Sequence, residues 1–271
     1  MEIKVLGPLE ARENGLSITP TAGKPRQLLA LLAVQAGYVV TVPTLIEELW
    51  GMAPPRSALT TLQTYVLQVR RKIDAALCRD GRGGAKEVLV TRYGGYMLNV
   101  AAENVDVRSY ERLATAGQRA FDVNDLESAS RLLGAALDVW RGPALIDVQI
   151  GVRLGMEVTR LQESRLGVLE SRIDADLRLG RHQSLLSELS MLTAQYPMHE
   201  NVCGQYMIAL YRSGRQWRAL EAYQALRGTL IEELGLEPSV RLRRLQRAIL
   251  SSDPTLDSLL SGKQLEQEFV G

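Results

Sequence analysis

The side chains of this chain best suited to binding chemistry cluster in one stretch, SALTTLQTYVLQVRRKI, residues 57–73. At helical spacing Ser57, Thr60, Thr61, Thr64, Gln68 and Arg71 share a face, with Lys72 at its edge. No carboxylate occurs from Ala58 to Ile73. A solvated helix of that length ordinarily mixes in acids as i,i+4 partners for its cations. Short hydroxyls, an amide and a cationic end instead match the base edges and phosphates of a DNA major groove. Cations near a helix C-terminus also complement the macrodipole by about 0.3–1 kcal/mol, so the helix alone leaves the two readings level. Its surroundings separate them. Residues 56–92 carry eight Lys and Arg against three Asp and Glu, a local excess on a chain of net charge +1, which is the footprint expected on a polyanion.

Other reactive groups are sparse. His182 and His199 are the two histidines, and both fall at helix starts, which suits surface or capping duty rather than a catalytic pair. Glu47-Glu48 and Glu232-Glu233 are sequence neighbours and so point to different helix faces. Gly81-Arg82-Gly83-Gly84-Ala85-Lys86 approaches a phosphate-binding loop, but Glu87 stands where Ser or Thr would hold magnesium, and the run follows a helix. It reads as a linker. Cys78 and Cys203 lack metal-ligand spacing, and two thiols imply a reducing compartment rather than a disulfide framework. The sequence therefore calls for no enzyme, no cofactor and no metal.

Hydrophobic content of 46% and charge of 23% over 271 residues describe an ordinary globular protein of about two domains. MEIKVLGPLE has no basic segment followed by an apolar run, and the longest apolar run, Leu28 to Val34, is too short for a bilayer. The expected location is the cytoplasm, at the nucleoid, with no membrane partner.

The elements that must position the helix read in order. Residues 2–20 form a small antiparallel sheet with a tight hairpin at Asn14-Gly15. Pro25 opens a helix whose Leu28, Leu29, Leu31, Leu32 and Val34 face a core, and Gly37 ends it. Val39-Val40 is a short strand. Thr41 caps the next helix, with Pro43 in its first turn and Leu45, Ile46, Leu49 and Trp50 as its core stripe. GMAPPR, residues 51–56, is a non-helical turn. The reading helix follows, its core stripe being Leu59, Leu62, Val66, Val69 and Ile73. Arg79 to Glu87 is a polar loop, and Val88 to Val100 a hairpin about Tyr93-Gly94-Gly95 with Arg92 at its shoulder. Helix, turn, helix and basic hairpin make a winged helix, whose second helix enters the major groove.

The second half is helical by pattern: 107–121, 126–140, 152–179, 182–195, 200–212, 216–234 and 239–250, with Asp125 as a cap. Leu179-Gly180-Arg181-His182-Gln183 is echoed 34 residues later by Ser213-Gly214-Arg215-Gln216-Trp217. That interval is the tetratricopeptide period, in which helix pairs stack into an array. The predicted fold is mainly α with a small β component: a winged helix-turn-helix, then an all-α tetratricopeptide-like domain. An adaptor that merely uses the array is the competing reading, and it leaves the acid-free helix face unexplained.

VTVPTLIEELWG, SALTTLQTYVLQVRRKI and VTRYGGYML together resemble the OmpR-type winged helix. VLGPLE and KPRQLLALL point more narrowly to the Streptomyces antibiotic regulatory protein family. ALDVWRGPALIDV and the stretch from Tyr196 to Ser239 resemble the bacterial transcriptional activator domain of that family. The resemblance implies domains at 1–103 and 104–252 followed by a tail, 253–271. It also implies activation of secondary-metabolite genes from direct repeats in promoter DNA, a second protomer bound cooperatively, and recruitment of RNA polymerase holoenzyme. Thr61, Thr64 and Gln68 are expected at base edges and Arg71 at a guanine or a phosphate. Thr60, Arg70, Lys72 and Arg92 are expected at phosphates. In OmpR-type domains the turn before the reading helix faces the polymerase. Its match is Gly51, Met52, Ala53, Pro54, Pro55 and Arg56, though a tight connection explains those residues equally well. The receiver domain that precedes this fold in response regulators has no counterpart before residue 2, so a switch other than aspartyl phosphorylation is expected. The residues themselves do not set the sign of regulation.

Overall fold

A computed structural model describes residues 1–77, 84–253 and 256. Cys78, Arg79, Arg82 and the glycine-rich run through Gly83 lie outside the described residues, as do 254, 255 and 257–271 of the tail. The packing forms two compact units, Met1–Thr115 with Ala135–Leu166 and Ala116–Gly134 with Gly167–Gly271.

The first unit opens with β1 (Glu2–Lys4), β2 (Glu10–Glu13) and β3 (Leu16–Ser17), an antiparallel meander whose second turn is Asn14-Gly15. Helix α1 (Gly23–Val34) starts two residues before Pro25, which sits inside the first turn, where its missing N–H has no intrahelical acceptor to lose. Its Leu28, Leu29, Leu31 and Leu32 are buried. β4 (Val39–Thr41) leads into α2 (Val42–Trp50), where Thr41 Oγ1 accepts from the Thr44 amide at 3.3 Å, as the cap pattern predicts. Leu45 and Leu49 are buried, whereas Ile46 and Trp50 are only partly covered. Trp50 stacks on Tyr65 with ring centroids 6.2 Å apart, fixing α2 against α3 (Ala58–Leu77).

The core stripe of α3 is Ala58, Leu62, Val66, Val69, Ile73 and Ala76. Leu59, expected in that stripe, is 51% exposed. The helical phase is set by the four larger residues that follow, and on that phase the small Ala58 falls inward and Leu59 outward. The first part of the expected polar loop lies outside the described residues, and its end is helical. Ala85–Val88 form a single turn, α4, whose Ala85 amide donates to Asp74 Oδ1 at 2.7 Å. β5 (Leu89–Arg92) and β6 (Gly95–Leu98) form the hairpin, and β4 joins its free edge to give the order β4-β6-β5. A Cβ on Gly95 would lie 2.3 Å from the Val40 carbonyl oxygen, so only glycine permits that edge to close.

Residues beyond the winged helix complete this unit. Asp106, at the start of α5 (Asp106–Asp122), accepts the amides of Val5 and Leu6 at 2.8 and 3.0 Å. Burial pushes its carboxyl above the usual range, while those amides and Arg141 pull it back. Asp147 Oδ1 accepts the Leu9 amide at 2.8 Å and Oδ2 pairs with Arg26. Glu48, 3% exposed on α2, takes the amides of Gly151, Arg153 and Leu154, and Gln27 donates to it from α1 at 3.1 Å. A buried carboxylate is tolerable when several N–H groups converge on it.

The chain passes between units inside α5, α6 (Leu126–Asp138) and α7 (Val152–Arg178). The second unit continues through α8 (His182–Gln195), α9 (Glu200–Arg212), α10 (Gln216–Leu234) and α11 (Val240–Leu250), close to the periodic pattern. Asp125 accepts the Ser128 amide as a cap at 3.2 Å, and His199 caps α9. Met207, Leu210, Tyr223, Leu226, Leu245 and Ile249 lie in its core. The 34-residue echo is a repeated joint. Gly180 and Gly214 adopt φ of 76° and 74°, and the following amides, Arg181 and Arg215, donate back to Asp176 O and Leu210 O, each at 2.9 Å. That is the Schellman closure of a helix end. Asn124 and Ser252 make the same left-handed joint, with Asp125 and Asp253 donating to Ala120 O and Ala248 O. Among the described residues no helix is long and apolar enough to cross a membrane.

Candidate nucleic-acid interface

Two ridges of i,i+4 side chains make up the outer face of α3. Thr60, Thr64 and Gln68 are exposed along one, which ends at the half-buried Lys72. Leu59, Gln63, Leu67 and Arg71 are exposed along the other. Gln63 and Leu67 do not emerge from the sequence reading, because its polar face centres on Thr60, Thr64 and Gln68 and stops short of their ridge. Phasing the helix on its buried residues would have found them. Thr61 is half-buried, and its Oγ1 lies 3.4 Å from Ser57 Oγ. The Thr64 hydroxyl donates to the Thr60 carbonyl at 3.0 Å, so the side chain is held in one rotamer. Asp74, the first acid after the acid-free stretch, is engaged with the Ala85 amide.

The hairpin sits beside this helix because Arg70 ties it there. Its Nε and one Nη donate to the Leu89 carbonyl at 3.0 and 2.6 Å, and the same Nη reaches Thr91 Oγ1 at 2.8 Å. Arg70 is thus directed at β5, unlike the outward phosphate ligand expected from the sequence. Arg92 is exposed at the end of β5, and Tyr93, at the hairpin tip, is fully exposed. The tyrosine was not anticipated as a surface element of the site, since a turn residue of that size carries no periodic signal. Together α3 and the hairpin present hydroxyls, amides and cations from adjacent elements, the set needed to hydrogen-bond base edges and neutralise phosphates.

The turn from Gly51 to Arg56 is exposed throughout, with Met52 at 98%. Its backbone is held by Gly51 donating to Glu47 O at 2.7 Å, Ala53 to Trp50 O at 3.4 Å and Ala58 to Pro55 O at 2.9 Å. An uncovered methionine just ahead of the Pro54-Pro55 pair is an apolar knob on a conformationally restricted turn.

Comparison with known proteins identifies two domains of transcriptional regulators in this chain. The family model of the C-terminal domain of transcriptional regulatory proteins matches residues 17–98, and that of the bacterial transcriptional activator domain matches residues 105–250. Regulatory protein DnrI of Streptomyces peucetius is 61% identical over 257 residues, covering 95% of this chain and 94% of that protein. Transcriptional regulator RedD of Streptomyces coelicolor is 38% identical over 256 residues, covering 94% and 72%. The solved structure of Mycobacterium tuberculosis EmbR in complex with low affinity phosphopeptide superposes with a TM-score of 0.87 at 31% identity, covering 98% of this chain and 68% of that one.

Proposed function

Because the chain belongs to the Streptomyces antibiotic regulatory protein family of transcriptional regulators, we propose that it activates a secondary-metabolite gene cluster by reading direct repeats in promoter DNA and recruiting RNA polymerase holoenzyme. The observation that carries the DNA-reading half is the acid-free outer face of α3 with the Arg70-anchored hairpin beside it. Thr61, Thr64 and Gln68 are assigned to base edges and Arg71 to a guanine or a phosphate. Thr60, Lys72 and Arg92 are assigned to phosphates. Arg70 acts one step removed, by holding the hairpin at the height of the neighbouring backbone. Functionally, residues 1–103 are the DNA-binding domain and 104–252 the activator domain. Two protomers bind tandem repeats head to tail, a heterologous contact that ends where the repeats end. The turn of Gly51, Met52, Ala53, Pro54, Pro55 and Arg56 faces the polymerase, on the strength of its full exposure. The protein acts in the cytoplasm, on the nucleoid.

Footprinting on the promoters nearest its own gene, followed by transcription in vitro with purified holoenzyme, tests both halves. The expected result is protection of two repeats and more transcript when protein is added. Absence of binding even at low salt would remove the DNA-reading role, and a fall in transcript would make the protein a repressor. Met52→Ala with Arg56→Ala should leave the footprint intact and lower the transcript. An unchanged transcript would free the turn from that role.

A further inference from the structure

Leu67 is out of place on the outer face of α3. It is 47% exposed, and its neighbours at i−4, i−3 and i+4 are Gln63, Thr64 and Arg71, all exposed hydrogen-bonding or cationic side chains. A lone exposed leucine is ordinary on a protein surface, but it ordinarily lies at the margin of a core stripe. Leu59 is such a case, lying beside the buried Leu62 and Val66 round the helix. Leu67 lies away from that margin. Taken together, the buried stripe of Leu62, Val66, Val69 and Ile73 centres on the far side of the helix from Leu67, which shares its side with Thr60, Thr64 and Arg71.

An apolar group at that position has one complementary partner in a major groove. Base-pair edges there present hydrogen-bond donors and acceptors, and a single apolar feature, the C5-methyl of thymine. We propose that Leu67 is a specificity-determining residue that packs against a thymine 5-methyl, next to the bases contacted by Thr64 and Gln68. This rests on the proposed reading of DNA by α3 and deepens it. The Thr64 hydroxyl is turned back onto the Thr60 carbonyl, which leaves the leucine as the largest apolar surface among the reading residues. Thymine and uracil differ by that methyl alone, and thymine and cytosine differ by it together with the exocyclic oxygen and amine. Leu67 therefore supplies discrimination through the methyl, a feature that hydrogen bonds do not read.

The test uses the full-length chain and the footprinted promoter duplex, with each thymine replaced singly by deoxyuridine, which deletes the methyl and nothing else. Wild-type protein should lose about fourfold in affinity at one or two positions per repeat, the cost of leaving roughly one methylene-sized group unburied. Leu67→Ala keeps a good helix former on an exposed face, so it should fold. It should bind thymine and deoxyuridine duplexes alike, whereas Gln68→Ala should still distinguish them. Unchanged wild-type affinity for every deoxyuridine duplex would overturn the role of Leu67 while DNA reading stood. A deoxyuridine penalty that persisted in Leu67→Ala would assign the methyl to another side chain. Failure of the unmodified promoter to bind at low salt would remove the reading of DNA itself.

Discussion

Gln68 and Arg92 stand on different elements and should fail in different ways when truncated. Gln68 is on the exposed ridge of α3, where an amide can pair bidentately with adenine, a contact worth about 1–3 kcal/mol of discrimination. Gln68→Ala is expected to relax preference at one base position in a selection from randomised duplexes. An unaltered selected sequence would mean that the helix sits in a different register. Arg92 is exposed at the end of β5, and a phosphate contact carries no sequence information. Arg92→Ala should weaken all sequences alike and reduce the slope of log affinity against log salt by about 1. Cys203 makes a third case. It is 2% exposed, and burial pushes its thiol up to about 12. At pH 8 the thiolate that would react is therefore a negligible fraction in the folded protein. Peptide mapping after iodoacetamide treatment should find Cys203 unmodified under native conditions and alkylated in urea. Alkylation at equal rates in both would mean that α9 opens readily.

At the scale of elements, the hairpin depends on Gly95. Its missing Cβ is what lets β6 lie against the Val40 carbonyl, because a Cβ there would fall 2.3 Å from that oxygen. The clash is with backbone and cannot be relieved by a rotamer change. Gly95→Ala should cost about 3 kcal/mol, the upper end of overpacking penalties, measured as a lower urea midpoint, and should loosen DNA binding through the displaced hairpin. A midpoint within error of wild type would show that β4 can give way. The same elements show what a sequence discloses. Helices α5 to α11 and the cap at Thr41 were legible because periodicity and capping are local signals. The phase of α3 was legible only to within a residue, because Ala58 and Leu59 differ in size in the sense opposite to their burial. Gln27 and Glu48, both nearly inaccessible, were illegible. Their partners come from other elements, Glu48 serving amides more than a hundred residues away, and no pattern within α1 or α2 announces a buried pair. The direction taken by Arg70 was hidden for the same reason.

For the whole molecule, the first compact unit is assembled from two separate lengths of chain. Residues 135–166 supply Asp147 and the helix start held by Glu48, and they pack with residues 1–115. Residues 116–134, which intervene, belong to the other unit. The family matches, by contrast, meet near residue 100. A hybrid of two relatives spliced there, with 1–103 from one parent, would pair Val5, Leu6, Leu9 and Glu48 of that parent with counterparts to Asp106, Asp147 and Gly151 from the other. Such a hybrid should melt below both parents, while one in which 104–115 and 135–166 travel with the N-terminal donor should recover. Equal melting of the two would show that these contacts are interchangeable among relatives. Inheritance of an intact first unit is therefore a matter of two separate stretches of gene rather than one, and a crossover near residue 100 divides contacts that belong to a single core.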